Sequence, residues 1–276
     1  MSVTNSLIGG CPSFKQIKTF SEIEKAVSLD ASTLVLLDID NTVLSSTTDY
    51  GTVEYLSYLV DQAMADGQKN EIEAKLAVHD RWIQAQSLVQ TKLTDEKIGD
   101  FIKIARTQQV SIIGLTARLP RMRAVTLPQL ARHGLAFDSL PGFKFRRKYQ
   151  VAAAIPEKLC YQTINKQICP IRWGEATIET PALFASGIVF CHDLNAKGVV
   201  FNDWFKVFSL YRQSKGLSTI KKIIFVDDAV YNFDSMYQAS LELGLSFYGF
   251  HFQYQNNFDA AQAEIQEKTF TQKRMS

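Results

Sequence analysis

The stretch TLVLLDIDNT at residues 33–42 sets the reading of the whole chain. Its first five residues are apolar or β-branched without alternation, the pattern of a strand covered on both faces. The strand runs into Asp38 and Asp40, two carboxylates separated by one residue. In extended backbone they project to the same side, and burying them is costly unless they are paired or used. In an α/β sheet this point is the open C-terminal edge, where ligands bind. A calcium loop is the competing explanation of such a pair. It needs further oxygen ligands at short spacing, and the side chains of Val43 and Leu44 carry none.

Three more runs of the same kind follow: VSIIGLT (110–116), GIVFC (187–191) and IIFVDD (223–228). LSFYGFHFQY (245–254) offers a further strand. Helical stretches separate them. SEIEKAVSL (21–29) opens on a Ser21/Glu24 capping box. LPRMRAVTLPQLARHG (119–134) ends at Gly134, and NFDSMYQASLELG (232–244) ends at Gly244. KGVVFNDWFKVFSLYRQS starts at Lys197. Strands alternating with helices predict a doubly wound α/β fold with a parallel sheet.

Two segments break the alternation. Residues 46–108 read as mostly helical, with Leu56, Leu59, Val60 and Ala63 on one face. They predict a helical cap inserted into a core made of residues 1–45 and 109–258. Residues 138–186 are irregular, with Pro141, Pro156, Pro170 and Pro181, and read as a second small insertion or an elaborated connection. Residues 259–276 read as a C-terminal helix or tail.

Of 276 residues, 46% are hydrophobic and the net charge is +2, so the molecule lacks the electrostatic footprint of a nucleic-acid binder. Cys11, Cys160, Cys169 and Cys191 form no CxxC pair and read as reduced thiols. The first residues lack a basic stretch followed by an apolar one, and no run is long enough to span a membrane. The expected setting is cytoplasmic, or a host cell reached by an exported effector without a classical signal peptide.

The DIDNT stretch resembles the first motif of the haloacid dehalogenase (HAD) superfamily, DxDx[TV]. The remaining motifs appear in order: Thr116 ending VSIIGLT, Lys197 in NAKG, and Asp227-Asp228 ending IIFV. The resemblance spans about residues 33–236. The wording of GLTAR, TLPQL, HGLAFD, ASGIVF, NAKG and IIFVDDAVYNFDSM is similar to a bacterial HAD-like family that includes effectors of intracellular pathogens, one type of which has phosphotyrosine phosphatase activity.

The resemblance implies a Mg²⁺-dependent phosphatase. Asp38 is then the nucleophile that forms an aspartyl-phosphate, and Asp40 the general acid and base. Thr116 and Lys197 are the implied phosphate-binding residues. Asp38, Asp40 through its backbone carbonyl, and Asp228 are the implied metal ligands, with Asp227 a supporting or alternative ligand. The implied substrate is a phosphoprotein or a small phosphomonoester. A phosphotransferase on the same site, and a non-catalytic binding module that kept the fold, are the competing functions.

Other candidates weigh less. Lys222 falls before its strand, at the wrong sheet edge, and Lys215 precedes Gly216 as a helix C-terminal charge. Arg118, Arg121 and Arg123 either steer an anion or pair with carboxylates. FKFRRK (143–148) suits contact with phosphates or lipid headgroups, but a solvated strand or loop face explains it more simply. His79, His133, His192 and His251 show no HxxxH or HExxH spacing, which argues against a local zinc motif. Trp82 belongs to the entrance or to the core of the cap.

Overall fold

The computed structural model describes residues 14–65, 70–152 and 177–275. Cys11, Cys160, Cys169 and the first thirteen residues lie outside the described residues, as do Pro156 and Pro170. Strand β1 (Phe14–Ile17) and helix α1 (Ser21–Ala26) precede β2 (Thr33–Leu37). The chain then forms β3 (Leu44–Ser46), α2 (Val53–Ala65), α3 (Glu71–Leu88) and β4 (Thr91–Leu93), which returns antiparallel to β3. Helix α4 (Ile98–Thr107) leads to β5 (Ser111–Thr116), and a single 3-10 turn at Pro120–Met122 opens α5 (Arg123–Arg132). Next come β6 (Arg146–Ala152), β7 (Thr177–Ala185) and β8 (Ile188–Phe190). Helix α6 (Lys197–Ser214), β9 (Lys222–Asp227), α7 (Tyr231–Glu242), β10 (Ser246–Phe252) and α8 (Ala260–Met275) complete the fold.

Eight strands form one sheet in the order β1-β10-β9-β2-β5-β8-β7-β6. The pairings from β1 through β8 are parallel, and β7 and β6 add an antiparallel edge. The sheet is therefore mixed rather than wholly parallel. Successive side chains of a strand face opposite sides, and both sides are covered here. Val35, Leu37, Ile112, Ile224 and Val226 pack against α4 and α5 through Phe101, Ile102 and Leu130. Leu34, Leu36, Ile113, Ile223 and Phe225 pack against α6 and α7 through Val200, Trp204, Phe233 and Met236. This is a doubly wound α/β fold, and unbroken apolar strands are what such double coverage demands.

Several expectations need correction. The helical insertion ends before α4, because Ile98, Phe101, Ile102 and Ala105 join the sheet's own core. The layer over the sheet edge consists of α2 and α3 on the β3–β4 stem, with Tyr55, Leu59, Val78 and Trp82 packed together. Within the segment 138–186, β6 and β7 extend the main sheet as an elaborated connection, and residues 153–176 lie outside the described residues. The capping box at α1 does not form. Ser21 is already the first helical residue, and Glu22 Oε1 instead accepts the backbone N–H groups of Lys18 and Thr19.

The C-terminal helix docks on the cap rather than trailing away. Ala263 is buried among the cap residues, with Phe258 and Phe270 packed against them. Gln266 Oε1 accepts the Tyr50 N–H at 2.9 Å, Arg81 donates to Glu267, and Tyr58 hydrogen-bonds Glu264. Among the described residues no helix is long and apolar enough to cross a membrane.

Candidate active site

The site begins where β2 stops. Asp38 N–H still donates to the Val226 carbonyl of β9 at 3.0 Å. The chain then folds back tightly. Val43 N–H and Leu44 N–H both donate to the Ile39 carbonyl, and Asn41 takes a left-handed φ of 57°. Asn tolerates that region better than most residues with a Cβ. Thr42 fastens this turn to the end of β9, its hydroxyl accepting the Asp228 N–H at 3.0 Å.

Lys197, the first residue of α6, is 2% exposed and bridges two strand ends. Its Nζ donates to Asp38 Oδ1 at 2.6 Å and to Asp227 Oδ2 at 2.7 Å. Asp227 Oδ1 accepts from Ala229 N–H at 2.8 Å and from Asn232 Nδ2 at 3.1 Å. Both Asp227 oxygens are thus engaged by protein donors, whereas Asp228 is partly exposed and lines the adjoining cavity. His251 Nε2 lies 3.0 Å from the Asp228 carbonyl and steadies its backbone.

Charge is unbalanced here. Asp38, Asp227 and Asp228 each place an oxygen within 4.8 Å of the others, while one buried ammonium serves them. Burial pushes the Asp38 carboxyl well above the usual carboxylate range. Lys197 opposes that shift, and Asp227, Asp228 and Asp40 add to it. Burial, then the Asp227 charge, pushes Asp228 up to about 7. Burial opposes charge on Lys197, but Asp227 and Asp38 keep it protonated beyond the ordinary lysine range. Cys191, buried nearby, is no nucleophile: burial pushes its thiol up to about 12.

Asp40 follows on the same turn and faces Arg118. Arg118 Nε donates to Asp40 Oδ2 and Nη2 to Oδ1, each at 2.8 Å. Arg118 is 1% exposed, and its remaining hydrogen bonds go to Thr126, Gln129 and Gln86. Of Arg118, Arg121 and Arg123, the first two are carboxylate partners. Arg121 pairs with Asp80 on α3, and Arg123 is exposed. Thr116 ends β5 fully buried, its hydroxyl accepting the Arg118 N–H at 3.1 Å. The cavity wall above it is built by Ala117 and Arg118.

A cavity of about 1290 Å³ opens over these groups. Its floor includes Asp38, Asp40, Lys197 and Asp228, and its roof includes Val53, Leu56 and Val60 of α2 with Trp82 of α3. Trp82 is core and wall together, its Nε1 donating to the Thr52 carbonyl.

Two rejected lysines sit as expected. Lys222 starts β9 and pairs with Asp30, and Lys215 caps the end of α6. The aromatics of FKFRRK turn inward, with Phe143 against Phe184 and Trp204. Arg147 pairs with Asp203 and Lys148 with Glu179, leaving a solvated strand face. Asn232 and His251 escape a sequence reading because each acts through hydrogen bonds formed only by folding, whereas Thr42 closes the DIDNT stretch. Arg118 carried a signal, being two residues past Thr116.

No curated protein and no solved structure matches the chain. A family model described as Protein of unknown function (DUF2608) matches residues 16–275. That span takes in every strand and helix of the sheet from β2 onward, the cap, and α8 to its last residue, so the chain belongs to this family.

Proposed function

We propose that this chain is a Mg²⁺-dependent phosphatase of the HAD type, acting on a phosphomonoester through Asp38. The observation that carries the reading is three clustered carboxylates against one lysine at the C-terminal edge of a parallel sheet. Such a cluster suits a hard divalent cation, which prefers carboxylate oxygens. Asp38 and Asp228 would hold it, with Asp227 supporting from behind. When bound, Mg²⁺ supplies charge neutralisation for the phosphoryl oxygens.

The chain's own residues divide the rest of the work. An Asp38 oxygen forms a bond to phosphorus as the bond from phosphorus to the leaving oxygen breaks, and Asp40 gives that oxygen a proton. Water then attacks the aspartyl-phosphate, passing a proton to Asp40, and inorganic phosphate and the Asp38 carboxylate are released. Lys197 orients Asp38 and offsets repulsion between it and the anionic substrate. Thr116 does not line the cavity, so its proposed part is to hold the cavity wall in place, its hydroxyl accepting the Arg118 N–H.

The cavity supports a large substrate. Small-molecule clefts usually measure about 300–1,000 Å³, and this one is larger. A phosphorylated protein side chain, phosphotyrosine in particular, is the proposed substrate. The wording of GLTAR, NAKG and IIFVDD supports a place in the cytoplasm or, as an exported effector, inside a host cell.

The test compares hydrolysis of an aryl phosphate and a phosphopeptide panel, with Mg²⁺ and with EDTA, by wild type and Asp38→Asn. Activity confined to the metal-loaded wild type supports the reading. Turnover by Asp38→Asn, or turnover indifferent to metal removal, overturns it, and preference for small metabolites over peptides reassigns the substrate.

A further inference from the structure

A second group of ligand-type side chains lies where the cap meets the core. His79 projects from α3, while His192 and Asp193 follow β8. One ring nitrogen from each histidine and one Asp193 oxygen lie within 4.8 Å of one another. The histidines are 2% and 5% exposed, and their rings stand edge to face with centroids 5.6 Å apart.

Both histidines contact the Asp193 carboxylate. His79 Nε2 meets Asp193 Oδ2 at 2.7 Å, which one N–H accounts for. The other carboxylate oxygen, Oδ1, is buried and accepts no hydrogen bond. It faces His192 Nδ1 at 3.0 Å, although that nitrogen already accepts the Leu194 N–H at 3.3 Å. A 3.0 Å approach of these two atoms is favourable only with a proton or a bound cation between them. His192 also adopts a left-handed φ of 71°, an unfavourable conformation for a residue with a Cβ. Strain of this kind persists where the surroundings over-determine it, and it clusters at functional sites.

We propose that His79, His192 and Asp193 bind a transition-metal ion of the zinc type that ties the cap to the core. Two imidazoles and a carboxylate suit Zn²⁺, Co²⁺ or Ni²⁺ rather than Mg²⁺. Asp193 also lines the large cavity, so a fourth position opens toward solvent. The absence of local HxxxH spacing does not exclude this site, because its ligands come from segments 114 residues apart. The ion would pin α3, which carries Trp82 and Gln86, over the carboxylate cluster. This site stands or falls independently of the phosphatase chemistry.

The test titrates the full-length protein with Co²⁺ in excess Mg²⁺, reading visible ligand-field absorption, and with Zn²⁺ by chelator competition. Wild type and Asp38→Asn take up one ion, while His79→Gln and His192→Asn lose affinity by at least roughly 100-fold, beyond the loss of an outer-shell partner. The asparagine keeps the left-handed backbone at 192 tenable. Should either histidine variant fail to fold by circular dichroism, Asp193→Asn, whose side chain is 14% exposed, decides in its place. No saturable ion in wild type means a shared proton supplies the charge, which overturns the proposal. So does uptake abolished by Asp38→Asn alone, or uptake unchanged in the folded ligand variants.

Discussion

Arg118 grips both carboxylate oxygens of Asp40, Nε on Oδ2 and Nη2 on Oδ1, each at 2.8 Å. A general acid needs an oxygen that can carry a proton to the leaving group. The proposed chemistry therefore requires one arm of this fork to open. Gln86 of α3 accepts from the same Nη2 at 3.1 Å, so the seating of the cap helix bears directly on how firmly Asp40 is held.

Asp40→Asn separates the acid role from simple electrostatics. Turnover of an alkyl phosphate, whose leaving oxygen must be protonated, is expected to fall roughly 10²–10⁴-fold. A p-nitrophenyl ester, which leaves without a proton, is expected to lose much less. Equal losses on the two esters in steady-state assays would remove Asp40 from the acid role.

Arg118→Met tests the fork as architecture. Methionine fills similar space but strands Asp40 and leaves Thr126, Gln129 and Gln86 without their guanidinium partner. Breaking a buried pair from one side is expected to cost roughly 3 kcal/mol in urea unfolding. An unchanged midpoint and slope would mean that the pair contributes nothing net.

Mg²⁺ response should follow Asp228. Its folded pKa, about 7, lies above the ordinary value of 3.8. In metal-free protein its proton stabilises the fold at low pH, and that contribution is lost as pH rises through about 7. The ionised form is the one that holds a cation. The rise in Tm on adding Mg²⁺ is thus expected to be large above pH 7 and to shrink as pH falls below it, read by thermal shift across a pH series. A shift that does not vary with pH contradicts Asp228 as a ligand.

Gly198→Ala probes how Lys197 is aimed. A Cβ at position 198 would lie 1.9 Å from the Ser235 carbonyl oxygen of α7, so the two helices must separate. Overpacking of this kind costs roughly 1–3 kcal/mol. It also shifts the first turn of α6, so catalytic loss should exceed what unfolding explains. Wild-type stability with wild-type turnover would show that the α6–α7 contact is slack.

Much of this architecture was legible in the sequence because double coverage leaves a mark. Leu34 and Leu36 face one helical layer while Val35 and Leu37 face the other, so no polar residue interrupts β2. Asp38, Lys197, Asp227 and Asp228 could be placed because each sits at a strand end or helix start. β1 escaped because Lys15 and Gln16 are exposed and the strand is four residues long. The sequence groups α4 with the cap, because its apolar face looks the same whichever surface it covers. The Arg118–Asp40 fork and the His79–Asp193 contact join residues 78 and 114 positions apart, and no local pattern encodes such a pairing.

The docking of α8 on the cap has a consequence for biosynthesis. Helices α2 and α3 emerge early, but the partners of Tyr50, Tyr58 and Arg81 lie at Gln266, Glu264 and Glu267. A growing chain folds from its N-terminus as it is made, so the cap lacks one of its walls until α8 has been synthesised. The roof that α2 and α3 place over the carboxylate cluster therefore gains its outer support only after every strand of the sheet has been made.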